Sequence, residues 1–559
     1  MNILYKNFKG LMPRYDSHLL GDGFATTAKD VNLWHGTLRP FREKKLCREI
    51  KQATKSVFYD NCCWKEFDKC VEFTRLNTSC SRQVVTGLFD YPATSCSDEC
   101  NPRWIRLGLP SPGTAPTIER LDPLAGKHGC YAENLIDSIE YKRATRTYVY
   151  TYVNSCCDEG PPSYPTETLD VDDGGRVMLS GFNTPSAEYD VKNIRIYRLA
   201  SGFDMNNTSI ENFTIDESSA LSDYYLVDEI PATTAAYIDD KHDYELGYAL
   251  ETQEYVAPPK DLRGVISVDG TQLAGITGGN KIRFSTPNFP HAWQEADELT
   301  VPDKIQALVE FKSDIIVLTC GSLYKVEPIE DCKTVGCRKV TKTLEDYPLI
   351  SCCGGHGYAL TPKGVVFASI DGLILTDGVQ ATNITSPYFA PDDWKALHPD
   401  RMSVAYNRDS VYFFSDVAGY CLQFPVSLTE WENSHLIELS DRPEYAFGEN
   451  DELYLVEKGA VYRWDRGDTY RPYHWVSKKE ISPTQINFAG AKVSRYNNGD
   501  VTFKFIGDDI LIKEYSPLQT EKFRLPSGRR DVEFQVDLKG TAEVYQVEIS
   551  TSYIELGTV

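Results

Sequence analysis

The sequence predicts an all-β fold: a β-propeller with an inserted β-sandwich and a small terminal β-domain. Three observations carry this expectation. Tyr (34) and Phe (24) are plentiful while Met (5) is scarce, and 38 Gly and 30 Pro punctuate the chain. That composition suits short strands joined by tight turns. No long stretch sustains a helical period. Strand cores at Leu273, Ile315, Val365, Val411 and Leu453 recur at gaps of 42, 50, 46 and 42 residues. A period of roughly 40–50 residues with several strands per unit is the signature of propeller blades. With 559 residues the chain is also too long for one hydrophobic core, so several domains are expected.

The elements follow in order. Residues 1–118 read as an N-terminal arm followed by the first propeller strands. The first 45 residues look extended, with a Gly21-Asp22-Gly23 turn and an apolar stretch ended by Pro40. Strand-like runs come next at Ser56–Tyr59, Cys70–Phe73 and Arg82–Thr86. The strands before residue 90 are expected to supply a further blade, joining the first and last parts of the chain. A connector with Pro110, Pro112 and Pro116 cannot lie in a central strand, which places a boundary there.

Residues 119–256 read as the sandwich. Thr147–Val153 alternates, with Tyr148, Tyr150 and Tyr152 on one face. A Gly160-Pro161-Pro162-Ser163 turn follows, then strands at Arg176–Leu179, Ile194–Arg198 and Tyr224–Val227, closed by Tyr237-Ile238-Asp239. The order of these motifs resembles fibronectin type III modules, a likeness that speaks to fold and not to function. Proline-rich junctions at both ends suggest that the module is removable.

Residues 257–480 hold the repeating blades. Phe367–Gly378 reads as a hairpin with Asp371-Gly372 at its turn, and Leu453–Val456 with Val461–Trp464 as another. Pro391–Leu397 reads as one short helix, with Pro and acids in its first turn and Pro399 beyond its end. Residues 481–559 hold alternating strands at Val501–Ile506, Asp531–Val536 and Glu543–Ile549, expected to form the small C-terminal β-domain.

The net charge is −23, from 58 basic and 81 acidic residues with His neutral. Such a surface repels phosphate and argues against tight nucleic-acid binding, though not against a pore through which DNA slides. No apolar run reaches the roughly 18 residues of a membrane helix, and Met1–Gly10 lacks a signal-peptide core. Stable membrane insertion is not expected, and folding in a cytosol is.

Sixteen cysteines are many for that compartment. Six lie between Cys62 and Cys100, and three adjacent pairs occur: Cys62–Cys63, Cys156–Cys157 and Cys352–Cys353. Neighbours on a strand point to opposite faces, so neither member of a pair readily bridges the other. Buried free thiols are the leading expectation. Disulfides formed after release, and a zinc site using Cys96 and Cys100 with Cys62, Cys63, Cys70 or Cys80, are the alternatives.

Four clusters could carry chemistry. Asp371 in Ser369-Ile370-Asp371-Gly372 resembles the Asp-box of sialidase propellers, but the Gly comes early and no Trp follows, so a plain hairpin turn is expected. Cys352-Cys353-Gly354-Gly355-His356-Gly357 brings a thiol near an imidazole, but triads are assembled from distant parts of a chain, and a loop is expected. His291 beside Pro290 and Trp293 is expected to pack at a blade edge. Tyr412, Phe413 and Phe414 are expected as blade core rather than a base-stacking platform. No phosphate loop, His-Glu-x-x-His or EF-hand loop is present. The reading is therefore a non-enzyme with no catalytic or metal-binding residue and no cofactor.

Several segments, taken in order, resemble a structural protein family of tailed bacteriophages. Phe8-Lys9-Gly10-Leu11-Met12-Pro13-Arg14, then His18-Leu19-Leu20, then Ala25, Ala28, Val31 and Leu33, then Gly36-Thr37-Leu38-Arg39-Pro40 look like its N-terminal arm. Phe284-Ser285-Thr286-Pro287 with Pro290-His291-Ala292-Trp293 looks like its mid-chain landmark. Ala368-Ser369-Ile370-Asp371-Gly372-Leu373 resembles its Ala-Ser-Pro-Asp-Gly-Leu hairpin, with Ile370 in place of Pro. Phe523–Arg529, leading to Val544 and Val547, looks like its C-terminal strand pair. The clustered cysteines depart from that pattern.

The resemblance implies a virion tail component, a nozzle or a ring that sheathes the DNA-ejection channel. It also implies a cyclic homo-oligomer, a hexamer, touching adaptor or tube proteins and fibres, with genomic DNA passing without tight binding. Assembly would begin in the host cytoplasm. The runners-up are a carbohydrate-active propeller enzyme and a soluble adhesion module.

Overall fold

The computed structural model describes residues 2–77, 81–124, 143–172, 174–199, 224–327, 336–340, 356–423, 434–496 and 499–556. The fold is all-β, with one short α-helix among the described residues, Pro391–Lys395, where the sequence places it. No helix among these residues is long and apolar enough to cross a membrane.

The chain forms two compact units: residues 72–301, and residues 1–71 with 302–559. These divisions fall elsewhere than the sequence boundaries at 118/119 and 256/257.

Among the described residues, five four-stranded antiparallel sheets and one four-strand antiparallel segment of a ten-stranded sheet (sheet five below) recur along the chain. The first two lie in unit 72–301. Sheet one is Glu72–Leu76, Arg82–Thr86, Ala93–Ser95 and Ile105–Arg106. Sheet two is Arg263–Val268, Gln272–Thr277, Lys281–Thr286 and Phe289–Thr300. Leu76, Val84, Leu262, Val265, Leu273 and Trp293 join the two in one core. A sheet stands near the expected extra blade, but it runs on to Arg106, leaves out Ser56–Asp60, which pairs with Cys63–Phe67, and takes no strand from the last part of the chain.

Sheets three to six lie in the other unit, each led by the strand that opens it. Sheet three begins at Ile305–Phe311, sheet four at Tyr358–Thr361, sheet five at Ser403–Asn407 and sheet six at Tyr445–Glu449. The sequence-read cores Leu273, Ile315, Val365, Val411 and Leu453 all fall in the second strand of their sheets.

Period-two side-chain alternation sends the two faces of one sheet to different neighbours. In sheet four, Val365, Phe367 and Ile374 pack with Ile316 and Leu318 of sheet three. Val366, Ala368, Leu373 and Leu375 enter the core shared with Val404, Val411 and Phe413 of sheet five. A sheet buried on both faces needs a nearly continuous apolar run, and Gly364–Ser369 (GVVFAS) is one. The Asp371-Gly372 turn sits where expected, with Gly372 at φ +153°. A Cβ there would lie 2.3 Å from the Asn383 amide oxygen.

Sheet six has only three strands of its own. Its fourth is Lys45–Glu49, which pairs antiparallel with Ala460–Arg463. The first 45 residues are therefore not an extended arm. Asn2–Tyr5 pairs with Val544–Ser550, and Ala25–Lys29 pairs with Tyr473–Ser477. Phe8 is fully buried and packs edge-on against Trp475 at 5.0 Å. Leu11 N–H donates to Leu436 O at 2.8 Å, and a Cβ on Gly10 would lie 2.4 Å from that same oxygen.

The strands of 481–559 share sheets with these N-terminal strands and a core with sheets four to six. They do not stand apart as a separate small domain.

In unit 72–301, the described residues between 117 and 239 form two three-stranded sheets and a two-stranded one, Arg143–Arg146 with Leu169–Asp172. One three-stranded sheet is Thr117–Arg120, Val177–Ser180 and Ala236–Asp239, and the other is Tyr148–Asn154, Val191–Leu199 and Tyr224–Pro231. Tyr148, Tyr150 and Tyr152 share one face and one core with Val177, Leu179, Ile194 and Ile196. Val149 packs on the opposite side with Tyr197 and Leu250.

Candidate functional site

The sequence-derived candidates do not converge. His291, in the last strand of sheet two, is buried, and its Nδ1 lies 3.0 Å from Asp158 Oδ1. Arg82 of sheet one donates to both oxygens of Asp158, at 2.7 and 2.8 Å, and Asn154 Nδ2 adds a bond at 3.0 Å. Burial pushes the Asp158 carboxyl up, but His291 and Arg82 outweigh it and hold it far below the usual carboxylate range. With its acceptor positions taken, Asp158 ties the sandwich loop to sheets one and two.

His356 is fully enclosed. It stacks on Tyr445 at 4.2 Å between centroids, with Phe58 and Phe447 close by. Burial lowers its pKa to about 3, so it stays neutral. Cys352, Cys353, Gly354 and Gly355 lie outside the described residues. Asp371 is a turn residue whose backbone oxygen accepts from Asn383 at 2.8 Å. Tyr412, Phe413 and Phe414 are all buried in the core of sheet five, as blade-core residues should be.

Several cysteines depart from the leading expectation of buried free thiols and take the disulfide alternative. Cys96 is bonded to Cys156, and Cys63, Cys70 and Cys100 are also in disulfides. Zinc takes thiolate sulfur, which a disulfide does not offer, so the set built on Cys96 and Cys100 fails. Cys80 lies outside the described residues, and among those described no group of three or more His, Cys, Asp or Glu could hold a metal.

Of the free thiols, Cys421 is buried while Cys62, Cys157 and Cys320 are exposed. Cys62 and Cys157 both have φ of 62°: Cys62 lies in the turn before the strand that Cys63 opens, and Cys156 and Cys157 lie outside any strand.

One concave site was not read from the sequence. Two adjoining hollows, of about 120 and about 290 Å³, share Asn32 and Asp465. The smaller is built largely from turn tips: Asn407-Arg408 between the first two strands of sheet five, and Asp451 between those of sheet six. The N-terminal segment supplies Asn32, Trp34, Arg39 and Arg42. Asp465 Oδ1 accepts the Arg42 backbone N–H at 2.6 Å. Burial pushes its carboxyl up, against the pull of that hydrogen bond and of Arg466. Arg466 grips both oxygens of Glu452, at 2.7 and 2.8 Å. Arg42 lies over the Tyr470 ring at 4.8 Å. No local motif announces this site, because it joins residues more than 400 positions apart. Loop tips on a rigid scaffold are where binding residues commonly lie.

Beside it, a buried charge network fastens the chain's beginning to its end. Arg471 meets Asp30 at 3.3 Å, Glu43 at 3.3 Å and Asp441, and lies over Trp464 at 4.7 Å. Lys44 bridges to Asp441 at 3.2 Å and to Glu457. Burial lowers the Arg471 pKa, but the three carboxylates outweigh it and raise the pKa overall.

No known protein family matches the chain, and no curated protein matches it. Solved structures give distant likenesses. BamB from Moraxella catarrhalis is 8% identical, with a TM-score of 0.25, over 56% of this chain and 81% of that one. Hsv2 from Kluyvelomyces marxianus is 11% identical, with a TM-score of 0.23, over 61% and 95%. The Pan2 WD40 domain of Neurospora crassa is 10% identical, with a TM-score of 0.25, over 53% and 84%. At these scores no activity carries over.

Proposed function

We propose that this protein is a structural component of a short bacteriophage tail, a nozzle or tail ring, and works by shape and assembly rather than by turnover. In this reading the six four-strand sets numbered above are propeller blades. Residues 119–256 are a fibronectin type III-like insertion between the first and second blades. Copies assemble into a ring, a hexamer, that extends or surrounds the DNA channel and contacts adaptor, tube and fibre proteins.

The supporting observation is where the segments that resemble the phage family lie. Phe8, Ala25, Ala28, Val31, Leu33 and Leu38 are buried where the N-terminal strands enter the C-terminal sheets. Trp293, Ala368, Leu373, Val544 and Val547 are fully buried, and Phe523 and Leu525 nearly so. A family recognised through core and closure residues shares a framework. Residues that conserve a reaction would instead line a cleft.

The test is the mass and symmetry of particles containing this chain. Several copies arranged about one axis are expected. A single copy per intact tail, or turnover of a polysaccharide that depends on two specific carboxylates, would overturn the reading.

A further inference from the structure

The paired hollows at Asn32 and Asp465 have no role in closing the fold, and their chemistry is selective. Their charges largely neutralise one another: Arg466 closes on Glu452, and Arg39 lies 3.6 Å from Glu543. What remains open is mixed. Among the described residues neither Arg408 nor Asp451 forms a salt bridge, though Arg408 pulls the Asp465 carboxyl down. Asp465 spends one oxygen on Arg42.

Two aromatic rings are partly open to solvent here, Trp34 (36% exposed) and Tyr470 (48%).

Hydroxyl groups donate and accept at once, so they match a wall offering a guanidinium, carboxylates and an amide side by side. An aromatic face covers the apolar side of a sugar ring while the ring's hydroxyls stay polar. Trp34 and Arg408 line the smaller hollow, of about 120 Å³, which adjoins the larger one, of about 290 Å³, at Asn32 and Asp465, so the ligand is small and reaches from one into the other. We propose that this cleft binds a short neutral saccharide, with Trp34 as the stacking platform and Asp465 and Arg408 holding its hydroxyls.

Binding without hydrolysis is the expected mode. Glu452 is held at both oxygens by Arg466, which leaves it unavailable for acid–base work on a glycosidic bond. The proposal is independent of the assembly reading above.

The experiment probes the full chain with a printed array of neutral hexose and N-acetylhexosamine oligosaccharides, alongside sialylated and sulfated counterparts. Binding to a subset of the neutral glycans is expected. Trp34→Ala and Asp465→Asn should each weaken that binding at least tenfold, while Tyr15→Ala, outside the cleft, leaves it unchanged. Trp34 is exposed enough that its truncation should not unfold the protein, and this variant decides the matter if Asp465→Asn is unstable. Failure of the wild type to bind any glycan, binding confined to charged glycans, or binding untouched by Trp34→Ala would each overturn the proposal.

Discussion

The buried histidine His356 makes the fold acid-labile in a way that one substitution should isolate. Its ring is stacked on Tyr445, its Nε2 has no partner, and burial lowers its pKa from 6.5 to about 3. A base with a folded pKa below its unfolded value is protonated first in the unfolded chain. Its contribution is therefore fully present above pH 6.5 and is lost as pH falls from there toward 3. At pH 4.5, two units below the unfolded value, the loss is about 3 kcal/mol, at ~1.4 kcal/mol per unit. Phe in place of His356 keeps an aromatic ring on Tyr445 and removes the titration. Urea unfolding followed by tryptophan fluorescence should show His356→Phe losing about 3 kcal/mol less than wild type between pH 7.5 and 4.5. His435, lowered to about 4 by burial and by Lys9, titrates alike in both proteins. Glu449 and Glu480, raised by burial, act in the opposite direction but equally in both. An identical pH dependence in the two proteins would refute the assignment of His356 as a buried neutral base.

Four other outcomes can be measured. Asp158→Ala leaves Arg82 and His291 as uncompensated buried groups and should cost about 3–5 kcal/mol in thermal or urea unfolding; a cost below ~1 kcal/mol would remove its role as a lock. Replacing residues 119–255 with a Gly/Ser linker removes both Asp158 and Cys156, so the sandwich is not the freely removable module its proline-rich junctions suggest. The transition of unit 72–301 should weaken in calorimetry while that of the other unit persists. Native labelling with a thiol reagent and peptide mapping should find Cys62, Cys157 and Cys320 reactive, and Cys421, whose pKa burial raises to about 12, only after unfolding. Asp371→Asn should change stability by less than ~0.5 kcal/mol, because its side chain supports only an exposed turn.

The sequence by itself determined the strand type, the blade period and the local turns, because these depend on neighbours a few residues apart. Val365 and Val366 announce a sheet buried on both faces, and Asp371-Gly372 announces its hairpin. Tertiary structure decided what long-range pairing supplies. Lys45–Glu49 reads as an unremarkable polar stretch, yet it completes a sheet whose other strands begin 400 residues later. Ala25–Lys29 carries too few apolar residues to reveal that it lies between Tyr473–Ser477 and His435–Leu439. The cysteine pairing followed the same rule. Cys96 and Cys156 are 60 residues apart in sequence, and only the fold brings their Cα atoms to 5.6 Å. The cleft at Asp465 was illegible for the same physical reason. Each of its side chains is an ordinary turn or loop residue, and only strand pairing between the chain's two ends sets them around one hollow.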